Sequence, residues 1–88
     1  MTPTSGRAKP QPQPQRLSEL AARTRGIIRR VSGESRFARR LMELGLVPGT
    51  EVELVRRAPM GDPIELVVRG THFSIRGSEA KRVYVDPV

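Results

Sequence analysis

The stretch Arg39 to Val55, RRLMELGLVPGTEVELV, changes its hydrophobic period in the middle, and this change constrains the fold more than any other feature. Phe37, Leu41 and Leu44 recur at i, i+4 and i+7, with Ala38 and Met42 widening the stripe, as on one face of a helix. SGES precedes them and supplies Ser32 and Ser35 as candidate N-caps. From Thr50 to Val55 the pattern alternates instead, with Val52 and Leu54 on one face and Glu51 and Glu53 on the other. Gly45 stands where a left-handed residue ends a helix, and Leu46 where the apolar contact of that ending falls. Pro48-Gly49 favours a type II turn, because glycine accepts the positive φ it requires. A helix and a strand joined this tightly must share one core.

The rest of the chain reads as short strands with tight connections. LSEL (Leu17–Leu20) makes one helical turn, and RGIIRRV (Arg25–Val31) is a strand. RAPMGDP (Arg57–Pro63) is a proline-stiffened loop around a Gly61-Asp62 turn, followed by a strand with Ile64, Leu66 and Val68 inward. Gly70 suits the first central position of a type II′ hairpin, which would pair Val68 with Phe73 and Leu66 with Ile75 inside, and Glu65 with Arg76 outside. GSEAKR follows as a short turn with Ser78 as cap, and VYV closes as a strand with Val83 and Val85 inward. The expected fold is mainly β: a small, strongly bent SH3-like barrel of about five strands, with one helix between strands 1 and 2. Curling closes the open face and edges that so small a sheet would otherwise leave. Val55, Val67 and Tyr84 fall outward in this scheme, and a bulge could turn any of them inward.

The 88 residues carry a net charge of +7, which raises nucleic acid or an anionic membrane as partners. The excess is uneven. Residues 1–30 hold seven basic groups against one acid, whereas residues 31–88 hold nine against eight. Arg39, Arg40, Arg56 and Arg57 are interleaved with Glu43, Glu51 and Glu53, as on an ordinary mixed-sign surface. Three aromatic residues, Phe37, Phe73 and Tyr84, leave little for single-stranded bases to stack on. Residues 1–16 form a basic tail whose Pro/Gln alternation cannot offset the entropy of ordering, so disorder is expected there and a folded domain over 17–86. With no cysteine and no apolar leader or spanning run, a cytoplasmic protein without membrane insertion is expected.

Chemistry is sparse. His72 is the single histidine, and Asp62, Glu65 and Asp86 are scattered over other loops and faces, so no metal site is expected. No nucleophile stands with a base at motif spacing and no phosphate loop follows a strand, so no catalytic or cofactor-binding residues are expected. Binding is what the chain offers. Leu46 and Pro48 at the corner, and Met60 with Asp62 in the stiff loop, are the candidate contact residues, since a proline-stiffened tip loses little entropy on binding.

RLMELGLVPG (Arg40–Gly49) and APMGDPI (Ala58–Ile64), followed by the EA turn and last strand, closely resemble the FeoA family over about residues 17–86. LAARTRG departs from it where the family commonly has a glycine before the first strand. The resemblance implies an SH3-like accessory barrel of ferrous iron uptake. Its partner would be FeoB, a membrane Fe(II) transporter with a cytoplasmic GTP-binding domain that would recruit it to the membrane's inner face. Self-association is compatible with the same chemistry. A nucleic-acid-binding or transcription-regulatory barrel using the basic N-terminal third is the alternative. Similar domains end DtxR-type repressors, but no helix-turn-helix precedes the barrel here, so a free-standing repressor is not expected. A weaker option is an inserted arginine, such as Arg57, that stimulates GTP hydrolysis.

Overall fold

The computed structural model describes residues 14–88. Strand β1 (Gln15–Arg16) leads into a 3₁₀ turn (Leu17–Glu19), then β2 (Thr24–Val31) and helix α1 (Ser35–Glu43). After the corner come β3 (Glu51–Arg57), β4 (Ile64–Val68), β5 (Thr71–Ile75), the single-turn helix α2 (Gly77–Ala80) and β6 (Val83–Pro87). All six strands join one sheet in the order β1-β6-β2-β3-β4-β5, each pair antiparallel.

The five expected strands and the helix between the first two of them are present, and β1 is an addition. It pairs Gln15 with Val85 and Arg16 with Tyr84, along the edge that β6 turns away from β2. Two residues carry no period of their own, so the strand owes its existence to that edge. The expected tail thus gives up its last two residues to the sheet, while the disorder expected for 1–13 lies outside the described residues.

Two irregularities bend the sheet. The β2–β6 register shifts between Ile28 and Arg30, and the β3–β4 register between Leu54 and Arg56. Each inserts one residue, Arg29 or Val55, and a bulge of this kind sharpens the local twist. Val55, Val67 and Tyr84, which break the alternation, are all half-buried. β2 pairs with β3 through Thr24–Ile27 and with β6 through Gly26–Val31, so it is the strand around which the sheet curls. The enclosed core takes the expected inward residues: Val52, Leu54, Ile64, Leu66, Val68, Ile75, Val83 and Val85. Leu17, Leu20, Ile28, Leu41, Leu46 and Ala80 complete it, with Phe73 half-buried at its margin.

The β4–β5 hairpin departs from the expected register. Its central residues are Arg69 (φ 53°) and Gly70 (φ 80°), a type I′ pair, in place of Gly70-Thr71. The pairing moves by two residues, to Leu66 with Phe73 and Ile64 with Ile75. Inward residues still face inward, because the side-chain period is two. The gain is visible at Ile64, which meets Ile75 instead of the Gly77 that the expected register would set opposite it. Glu65 accordingly sits opposite Ser74, not Arg76.

The helix ends also differ from expectation at their starts. Glu34 occupies the N-cap of α1 without a side-chain cap, while Ser32 turns its backbone N–H and its Oγ to the Arg82 carbonyl, at 2.7 and 3.3 Å. At α2 the cap is not Ser78. The Arg76 and Gly77 amides donate to Glu79 Oε1 and Asp62 Oδ1, each at 2.9 Å.

Candidate partner-binding surface

The corner between α1 and β3 is built from backbone requirements. Gly45 (φ 103°) donates its N–H to the Met42 carbonyl at 2.9 Å, and Leu46 donates to Leu41 at 3.1 Å, the two bonds of a Schellman ending. Thr50 N–H to the Val47 carbonyl (3.1 Å), with Gly49 at φ 91°, closes the expected type II turn. Leu46 is 0% exposed, packed in the core. Its expected role as a contact residue is therefore corrected: its C″ position drives it onto the last turn of the helix, and no side-chain surface is left for a partner. Pro48 stays exposed at the outer edge of the turn.

The β3–β4 loop has a different character. Gly61 N–H donates to the Ala58 carbonyl at 2.7 Å, so the turn centres on Pro59-Met60, two residues before the expected Gly61-Asp62. Proline's fixed φ suits the first of these positions. Ala58 N–H to Pro63 C=O, at 3.0 Å, ties the base of the loop. Met60 stands at the tip, 92% exposed, the most exposed of the large apolar side chains among the described residues. Asp62 is exposed too, but one carboxylate oxygen is already engaged on the Gly77 amide. Met60 and Pro48 flank opposite ends of β3, whose seven residues extend about 20 Å. The expected contact residues thus fall into two separate places.

A further apolar area emerges near the corner. Met42 and Leu44, expected on the inward stripe of the helix, are 44% and 38% exposed. Leu44 borders a hollow shared with Val68, Thr71 and Phe73. A nine-residue helix on so small a barrel buries a narrow stripe, here Leu41 with part of Phe37 and Ala38. The i, i+4, i+7 rule overstated the buried arc. Leu44 lies beyond the helix as its C-cap, which is the signal in the sequence that could have placed it at the surface.

The basic residues do not form one patch from Arg39, Arg40, Arg56 and Arg57. Arg40 pairs with Glu79, tying α1 to α2, and Arg56 Nε reaches Glu65 Oε1 at 3.0 Å. Arg57 donates through Nη2 to the carbonyls of Ser18 and Leu20, the latter at 2.7 Å, so the arginine proposed for insertion into a GTP site is committed within the barrel. His72 Nδ1 stands 3.3 Å from Glu65 Oε2, and no group of three or more His, Cys, Asp and Glu converges among the described residues. Arg56 first, and His72 second, hold the Glu65 carboxyl below its usual range. Tyr84 lies under the Arg30 guanidinium, 4.2 Å from the ring centroid. Arg16 beside it, with Arg30 adding, lowers the pKa of its phenol. Among the described residues no helix is long and apolar enough to cross a membrane.

A small curled antiparallel sheet with a helix set between two of its strands defines the class: an SH3-like β-barrel. Residues 15–87 match the family model described as the FeoA domain, and the chain belongs to the FeoA family. A curated relative, the Fe(2+) transport protein A/Fe(2+) transporter FeoB fusion protein of Porphyromonas gingivalis, is 34% identical over 71 residues. The match takes in 81% of this chain and 8% of that protein, so the chain spans a small part of its length. The crystal structure of Stenotrophomonas maltophilia FeoA complexed with zinc is 44% identical, with a TM-score of 0.70 over 80% of this chain and 87% of that one. That protein is described as a prokaryotic SH3 domain protein possibly acting as a bacterial ferrous iron transport activating factor. A manganese-dependent transcriptional repressor in complex with manganese has a TM-score of 0.80 at 16% identity, over 90% of this chain and 39% of that one. That likeness is one of fold alone.

Proposed function

We propose that this chain is a non-enzymatic cytoplasmic accessory protein of ferrous iron uptake, acting by contact with the cytoplasmic GTP-binding part of a FeoB-type transporter. The observation that carries this reading is the P. gingivalis relative, in which a FeoA part and a FeoB part share one chain. Covalent linkage raises the local concentration of two modules to roughly millimolar, an advantage only to parts that work in contact. The surface supports a contact role. Met60 is presented on a stiff, hydrogen-bonded loop, so docking it orders little that is not ordered already. Asp62 holds that loop against α2, and Pro48 is exposed at the other end of β3.

The test is a binding titration between the full chain and the purified transporter. Saturable binding is expected, and Met60→Asp weakens it at least about tenfold, as burying a charge in a contact centre does. Iron uptake by cells carrying that variant should fall in parallel. Wild-type affinity and uptake for Met60→Asp, with an unchanged melting curve, would remove the loop from the interface.

A further inference from the structure

Among the described residues the sheet has two free edges, β1 and β5, and they differ in how they are protected. β1 is two residues long and carries Arg16, the short and charged form that keeps an edge from pairing. β5 runs over five residues, THFSI, with no lysine, arginine, carboxylate or proline. Its register against β4 is unbroken from Val68 with Thr71 to Ile64 with Ile75, so no bulge twists it away either.

The hairpin decides which backbone groups of β5 are left over. Arg69-Gly70 is a two-residue turn, and its closing pair, Val68 with Thr71, is hydrogen-bonded. Hydrogen-bonded and non-hydrogen-bonded pairs alternate along an antiparallel ladder, so Phe73 and Ile75 also turn their N–H and C=O groups to β4. His72 and Ser74 turn theirs to the free side, and both residues are exposed. Among the described residues β5 has no second strand neighbour, and no turn or loop backbone bonds to these four groups.

The four groups sit symmetrically about Phe73. A second copy of the strand, antiparallel and related by a two-fold axis at that residue, sets His72 of each copy opposite Ser74 of the other and satisfies all four groups on both. On the inward face each Phe73 then meets its counterpart in a non-hydrogen-bonded pair, where side chains approach most closely. Phe73 is half-buried and shares with Thr71 the wall of the hollow beside Leu44, which a second strand extends. On the outward face histidine meets serine, so no like charges stand opposite each other.

We infer that β5 is a self-association edge, on which two copies of this chain pair into one continuous sheet. A second copy fits better than a foreign strand because the two-fold matches every free group and sets aromatic against aromatic. The short, charged β1 edge does not carry the chain further, so association stops at two. Opposing the contact is the net charge of +7 on each chain. Salt screens that repulsion and leaves the backbone bonds and apolar contact in place, so pairing tightens as salt rises. Five paired residues fall below the roughly 800 Å² per partner of a stable complex, so the dimer is weak and reversible.

The experiment is sedimentation equilibrium of the full chain from about 10 µM to about 1 mM, the span over which so small a contact dissociates. The mass is expected to rise from the 9.8 kDa of one chain towards twice that, more steeply at high salt. Ser74→Pro removes an outward amide that β4 does not use, and should weaken pairing at least about tenfold with little change in melting. His72→Pro does the same at the other outward amide. Met60→Asp, in the loop proposed to meet the transporter, should leave self-association within about twofold. In the unaltered chain, amide exchange followed by NMR should be fast at His72 and Ser74 in dilute protein and slow at high concentration. A monomer at about 1 mM in high salt would overturn the inference. So would a dimer that both proline variants leave intact, or slowing of the two amides only when the transporter is added, which would give the edge to a foreign strand. Protection of those amides at every concentration in a monomer would overturn it too, because another part of the chain would then cover β5.

Discussion

At Gly45 the backbone leaves little choice. Its φ of 103° is one that side chains disfavour, and an added Cβ would come 3.3 Å from Val68 Cγ1. Gly45→Ala should cost about 1–2 kcal/mol, and the melting temperature should fall by roughly 5–15 °C. The glycine and the apolar place of Leu46 in the helix ending were readable from the chain, because such endings follow local rules, but the contact role expected of Leu46 ran against that same rule and was wrong. The exposure of Met42 was not, since how far a helix sinks into a barrel depends on the strands beneath it. Glu65 supports a prediction of another kind. Arg56 and His72 favour its charged form, so its contribution to stability is present above the unfolded value of about 4.3 and is lost as pH falls through the lower folded value. In a carboxyl titration followed by NMR, Glu65 should titrate below the usual glutamate range and move up in Arg56→Ala. The pair lies at the surface with Arg56 exposed, so the effect on overall stability is small.

Among the elements, the hairpin shows what alternation can and cannot decide. It assigned every inward residue of β4 correctly, but the register that pairs them is set by the turn, and Arg69 in a left-handed conformation is not a signal that composition offers. What compensates Arg69 is the cross-strand pairing of Ile64 with Ile75, a long-range benefit. β1 was illegible for a similar reason, being two residues recruited by the β6 edge. The 3₁₀ turn that follows it is held by Arg57, whose Nη2 reaches the Ser18 and Leu20 carbonyls across 39 and 37 residues. Arg57→Ala removes both bonds and should cost about 2 kcal/mol in denaturant unfolding. Arg57→Lys should recover part of that loss, because an ammonium lacks the fork that spans two carbonyls.

At the scale of the whole molecule, charge is distributed unevenly along the chain. Six of the seven excess positive charges lie in the first 30 residues, and among the described residues the cations without an ion pair are spread over the surface, three of them, Arg16, Lys81 and Arg82, around one hollow. The apolar tips lie elsewhere, at Met60 and around Leu44. The barrel itself was legible from strand spacing and the tight corner, and the motifs around Gly45 and Met60 pointed to the family. The division of the surface was not legible, since it depends on which arginines find carboxylates in three dimensions: Arg40, Arg56 and Arg29 do, whereas Lys81 and Arg82 do not. We propose that this barrel works by docking on a FeoB-type transporter. That docking is tested most directly by titrating the full chain against the purified transporter and its isolated cytoplasmic GTP-binding part. Saturable binding to both with similar affinity is expected, weakened at least about tenfold by Met60→Asp. Absence of saturable binding to either, for a chain that melts cooperatively, would contradict it.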